Sequence, residues 1–128
     1  MSKKAKIEEI ENFLEEFRQI MKTFGFQLIE RYDEAKTQVD VLVGTPLNAE
    51  SIIMNNLNYT HYNKGPERDH YFEDNNVWFF GYEEHGKMIY IKLSDHYGDK
   101  PHKLAKCLSF HEAEFDMDLP YKDIKGEK

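Results

Sequence analysis

The stretch "VWFFGYEEHGKMIYIKL", Val77 to Leu93, constrains the fold most. "VWFFGYE" and "KMIYIKL" are rich in β-branched and aromatic residues and read as strands, with only "EHG" between them as a hairpin loop. A polar loop with Gly98 and Pro101 leads to a third run, "LAKCLSFH". Connections this short make the three strands antiparallel neighbours. Such a sheet must bury one face, and the N-terminal half supplies the cover. Ile7, Ile10, Leu14, Phe17 and Met21, with Phe13 and Ile20 beside them, recur at helical spacing, so a first helix is expected from Ala5 to Lys22. Gly25 stops it, and "FQLIERY" then alternates as a strand. "TPLNAESIIMNNL" reads as a second helix, with Thr45 as N-cap, Pro46 in the first turn and Ile52, Ile53 and Leu57 on its apolar face. Between them "DEAKTQVDVLVG" is open to strand or short helix, with a lean to helix, and "NKGPERD" has the composition of a turn. The expected architecture is α+β: N-terminal helices packed on one face of a small, mainly antiparallel sheet, in a single domain over 1–122 with a charged tail, 123–128.

Composition narrows the function. The chain has 128 residues and a net charge of −7, with the acids spread throughout. That balance argues against wrapping duplex DNA, where affinity comes largely from neutralising phosphates, but leaves room for a site gripping one phosphodiester. Lys87, Lys92, Lys100, Lys103 and Lys106 form a locally cationic stretch whose plainest reading is a solvated face. The lone Cys107 cannot form an internal disulfide, no secretory apolar core follows the N-terminus, and no apolar run suits a bilayer. A soluble, cytoplasmic protein with no membrane contact is expected. No Walker loop, nucleophile elbow or dinucleotide fingerprint is present.

Strand alternation places candidate chemistry. Ile89, Ile91 and Leu93 share one face of "KMIYIKL", and Tyr90 and Lys92 the other. In "CLSFH", Leu108 and Phe110 oppose Cys107, Ser109 and His111. With the apolar sets turned to the helices, Tyr90, Lys92, Ser109 and His111 meet on the open side, close enough to surround one phosphate. An imidazole (ordinary pKa ~6.5), a phenol (~10) and an ammonium make an acid–base set. Singly, each also reads as an ordinary strand residue. Beyond His111, "EAEFDMDL" alternates acids with apolar residues, Glu112, Glu114, Asp116 and Asp118 against Ala113, Phe115, Met117 and Leu119, as an exposed edge strand protected by charge would. Six histidines (His61, His70, His85, His96, His102, His111) raise the question of a metal, but their spacing matches no zinc motif, and no cofactor is expected.

The order of motifs adds a further expectation. "FLEEF…FGF", "L…GTP", "NYTHYNKGPERD", "VWFFG", "YIKL", "CLSFHEAE" and "LPYK" follow one another from Phe13 to Lys122. The series resembles the motility quorum-sensing regulator (MqsR) family of toxins from toxin–antitoxin systems. The resemblance implies a RelE-like fold and a metal-independent endoribonuclease (an mRNA interferase) that cuts single-stranded mRNA and is neutralised by an antitoxin. It implies catalytic roles for Tyr90, for His111 (a lysine in the best-known branch) and for Lys64 in "HYNKGP". Lys92 joins them from the strand geometry, and Ser109, Trp78 and Arg68 are candidate RNA contacts. The sequence departs from the family at Phe79, where a polar residue follows the tryptophan in that branch, and at Glu83, an arginine position. The alternative is a non-catalytic protein-binding module, or a degenerate toxin relative, that uses the acidic edge strand.

Overall fold

The computed structural model describes residues 4–28, 46–68, 76–84, 86–96 and 103–123. Helix α1 runs from Ile7 to Phe24, two residues later at each end than periodicity predicts. The Glu9 carboxylate accepts the Lys6 N–H at 2.8 Å at its start, and the Gly25 N–H donates to the Met21 carbonyl at 3.0 Å at its end. Its buried stripe is Ile10, Phe13, Leu14, Phe17, Ile20 and Met21. Strand β1 (Phe26–Leu28) follows, and the rest of "FQLIERY", all of "DEAKTQVDVLVG" and the Thr45 N-cap lie outside the described residues. Helix α2 spans Pro46–Asn55 and buries Ala49, Ile52 and Ile53. Arg18 ties the two helices together: its Nε donates to the Ile53 carbonyl at 2.9 Å and a second guanidinium N–H to that of Leu57.

A short 3₁₀ turn (Tyr59–His61) leads into β2 (Tyr62–Arg68), β3 (Asn76–Glu84), β4 (Lys87–His96) and β5 (Leu104–Glu112). The sheet order is β1-β5-β4-β3-β2, with β1 parallel to β5 and every other pair antiparallel. The fold is therefore α+β, two helices against a five-stranded, mostly antiparallel sheet. Their shared core joins α1 and α2 to Trp78, Phe80, Ile89, Ile91, Leu93, Cys107 and Phe110.

Three expectations are corrected here. "NKGPER" is strand, not turn: β2 is an edge, where a proline lacking its N–H is tolerated. Gly65 (φ +115°) is needed there because a Cβ would sit 2.8 Å from the Val77 carbonyl oxygen. Second, the ladder slips between Lys92 and Leu93, leaving Leu108 as the extra residue of a β-bulge. Cys107 thereby turns into the core beside Leu93 instead of sharing the face of Ser109 and His111. Third, the acidic alternation is not an edge strand. β5 ends at Glu112, paired with Ile89 of β4, and the chain then leaves the sheet to cross the face opposite the helices.

That crossing segment, 113–121, is a strap. The Ala113 N–H donates to the Met88 carbonyl (2.9 Å) on β4. Met117 and Leu119 lie over Gly81 of β3, where a Cβ would stand 3.0 and 3.2 Å from their side chains. The Asp118 carbonyl then accepts from Asn63 Nδ2 (2.7 Å) on β2. Tyr121 finally rounds the edge, its O–H donating to the Ala5 carbonyl at 2.6 Å. The period-two pattern suits this path, because Glu114, Asp116 and Asp118 are exposed while Met117 and Leu119 are half-buried.

Candidate functional site

The open face of the central strands gathers the predicted cluster. Tyr90 pairs with His111 and Lys92 with Ser109 across β4 and β5. Directly opposed strand residues share a face with Cβ atoms ~5 Å apart, and the Tyr90 and His111 rings lie 5.2 Å centre to centre. Phe79 on β3 pairs with Lys92 on one side and Lys64 on the other. Both ammoniums sit over its ring, Lys64 Nζ at 4.8 Å and Lys92 Nζ at 5.7 Å from the centroid. Lys64 also pairs with Glu67 at 3.4 Å. Phe79, which the family pattern treats as a departure, is thus an apolar base that holds two cations over the middle of the face.

His111 is oriented by its own strand. Its Nδ1 lies 2.9 Å from the Glu112 carbonyl oxygen. A carbonyl oxygen only accepts, so Nδ1 carries the hydrogen and a neutral ring presents its lone pair at Nε2. Cys107 is no part of the chemistry: burial pushes its thiol up to about 12, and its Sγ points to the Ser109 carbonyl at 3.2 Å.

Two expected RNA contacts lie elsewhere. Trp78 is in the core, 8 % exposed and stacked on Phe13 with centroids 4.6 Å apart. The parity that sends Phe79 outward sends Trp78 to the helices. Arg68 pairs with Asn76, on the parity opposite to Val77 and Phe79, and so faces away from the lysines. Conversely, sequence reading missed Phe115, whose ring meets Tyr90 edge-on at 6.0 Å. Its place in the acidic alternation was visible, but which surface that alternation covered was not.

Among the described residues no three His, Cys, Asp or Glu side chains gather closely enough to hold a metal ion; His70, His85 and His102 lie outside them. Nor is any helix among them long and apolar enough to cross a membrane. No family model, curated protein or solved structure matches the chain.

Proposed function

We propose that the chain is a metal-independent endoribonuclease of the MqsR-like toxin class, acting on single-stranded RNA in the cytoplasm and held in check by a partner antitoxin. The observation that carries this reading is the opposed pair Tyr90–His111, rings 5.2 Å apart, beside two lysines on one sheet face. RNA brings its own nucleophile, the 2′-hydroxyl. Neutral His111 takes the 2′-hydroxyl proton at Nε2 as the 2′-oxygen attacks phosphorus, and Tyr90 gives its phenolic proton to the departing 5′-oxygen. One P–O bond forms and one breaks, leaving a 2′,3′-cyclic phosphate and a 5′-hydroxyl. Lys64 and Lys92 stabilise the charge that grows on the phosphorane, and Ser109 offers it a hydroxyl donor.

The test is incubation of the purified chain with a defined single-stranded RNA in the presence of chelator, followed by end-group analysis. Cyclic phosphate and 5′-hydroxyl ends are expected, with a ~100-fold or greater loss of rate in His111→Ala and Tyr90→Phe. Full activity in His111→Ala, or cleavage that stops with chelator, would refute the scheme.

A further inference from the structure

Where the strap leaves β5, it encloses a cleft of about 480 Å³ against the β3–β4 turn. Gly86, Lys87 and Met88 form one wall, and the chain from Glu112 to Met117 forms the other. Met88, Ala113, Phe115 and Met117 give the cleft an apolar portion. Phe115 is 61 % exposed, more than any other large apolar side chain among the described residues, yet it is seated on Tyr90. An aromatic side chain held in place and left open to solvent beside a cleft is the kind of anchor on which interfaces concentrate their binding energy.

The charge around this anchor selects the occupant. Glu112, which opposes core-facing Ile89, is matched by Lys87 on its own side of the sheet, so among the lining residues Glu114 and Asp116 have no neighbouring cation and give a formal charge of −2. Lys87 is already 3.9 Å from Glu112. A phosphate backbone would be repelled here, whereas guanidinium or ammonium groups would be drawn in, and arginine matches a carboxylate with two parallel hydrogen bonds. We propose that this cleft is a docking site for a basic segment of a partner protein. One cationic side chain meets the carboxylates of Glu114 and Asp116, and a neighbouring apolar side chain packs on Phe115 and Met117. The inference stands whether or not the opposite half of the face cleaves RNA.

The test uses the full chain and a fluorescein-labelled octapeptide of alternating arginine and leucine, followed by fluorescence polarisation. Saturable binding is expected, weakened ~10-fold or more by Phe115→Ser and by the pair Glu114→Gln with Asp116→Asn. All three side chains are exposed, so the variants keep the fold, which matching thermal melts would verify. Glu8→Gln with Glu15→Gln, exposed acids of α1, should leave binding unchanged. Several results would overturn the proposal: absence of saturable binding, equal loss in the α1 variant, or equal affinity for an all-lysine octapeptide, which would show charge without a site. So would a single-stranded oligonucleotide that binds here in place of the peptide and is released by Phe115→Ser.

Discussion

Replacing Asp95 by asparagine should stabilise the fold at neutral pH by an amount that disappears in acid. Asp95 lies on β4 with 12 % of its side chain exposed, and Lys103 Nζ approaches its Oδ2 to 4.0 Å. The same ammonium is closer to Glu16, at 2.9 Å, so it serves two carboxylates. Burial pushes the Asp95 carboxyl up to about 6, with Lys103 opposing and Glu16 reinforcing the rise. The folded value lies above the ordinary 3.8 expected of an unfolded chain, so the fold binds this proton more tightly. The stability contributed by this group is therefore full below pH ~4 and is lost as pH rises through ~6. At ~1.36 kcal/mol per tenfold in proton affinity, the gap from 3.8 to about 6 corresponds to ~3 kcal/mol. Urea unfolding followed by emission of the single, buried Trp78 provides the assay. His61 works in the opposite sense, since burial holds its imidazole below the ordinary value and its contribution is lost as pH falls. The quantity to compare is thus the difference between Asp95→Asn and the parent. It should reach up to ~3 kcal/mol in favour of the variant at pH ~7.5 and vanish near pH ~4. A difference that is the same at both pH values would refute the reasoning.

Two further substitutions probe the strap and the core. Gly81→Val places a Cβ 2.9 Å from Met88 Sδ and 3.0 Å from Met117 Sδ; it should cost ~1–3 kcal/mol and make 113–120 more open to limited proteolysis, whereas an unchanged cleavage pattern would show that the strap does not rest on Gly81. Tyr62→Phe removes a buried phenol that accepts from the Ala5 N–H (2.9 Å) and donates to the Gly65 carbonyl (2.6 Å); urea unfolding should show a loss of ~1–3 kcal/mol, and a neutral outcome would mean those backbone groups find other partners.

What could be read from the sequence was whatever depends on local periodicity. The seven apolar positions between Ile7 and Met21 specify α1 because a single helix stripe needs nothing distant to define it. The β3–β4 hairpin is equally local, and its parity placed Tyr90 and Lys92 together, away from Ile89 and Ile91. His111 and Ser109 joined them because the β4–β5 register happens to set like parities opposite each other. The misreadings arise where one residue's conformation or a distant partner decides. The bulge at Leu108 inverts parity for Cys107 and everything before it, and no composition signal marks such an insertion. "NKGPER" carries the residues of a turn, and only its pairing with β3 makes it a strand. The parallel contact of Phe26 with Ala105 joins residues almost eighty apart in the chain, beyond the reach of any local pattern. Alternation in "EAEFDMDL" was real, but two surfaces fit it equally, a sheet edge and a sheet face.

The strap also reconciles a chain of net charge −7 with a proposed RNA substrate. It carries Glu114 and Asp116 across the end of the open face nearest the β3–β4 turn, while Lys64 and Lys92 stay over Phe79 further along. Tyr90 stands between the two halves, touching Phe79 on one side and Phe115 on the other. Because mobile ions screen exposed charges beyond ~8–10 Å, what a single phosphodiester feels is set by its immediate neighbours and not by the sum over the chain. The lysine half therefore suits one phosphate beside the Tyr90–His111 pair, and the acidic half turns away the next one along the strand. A substrate held this way is gripped at a short stretch and bends off the surface on the strap side, which leaves the cleft beside Phe115 to a partner of opposite charge. On this proposed division, a catalytic end and a docking end share one sheet face, because Glu114 and Asp116 lie beside the β3–β4 turn while Lys64 and Lys92 gather over Phe79.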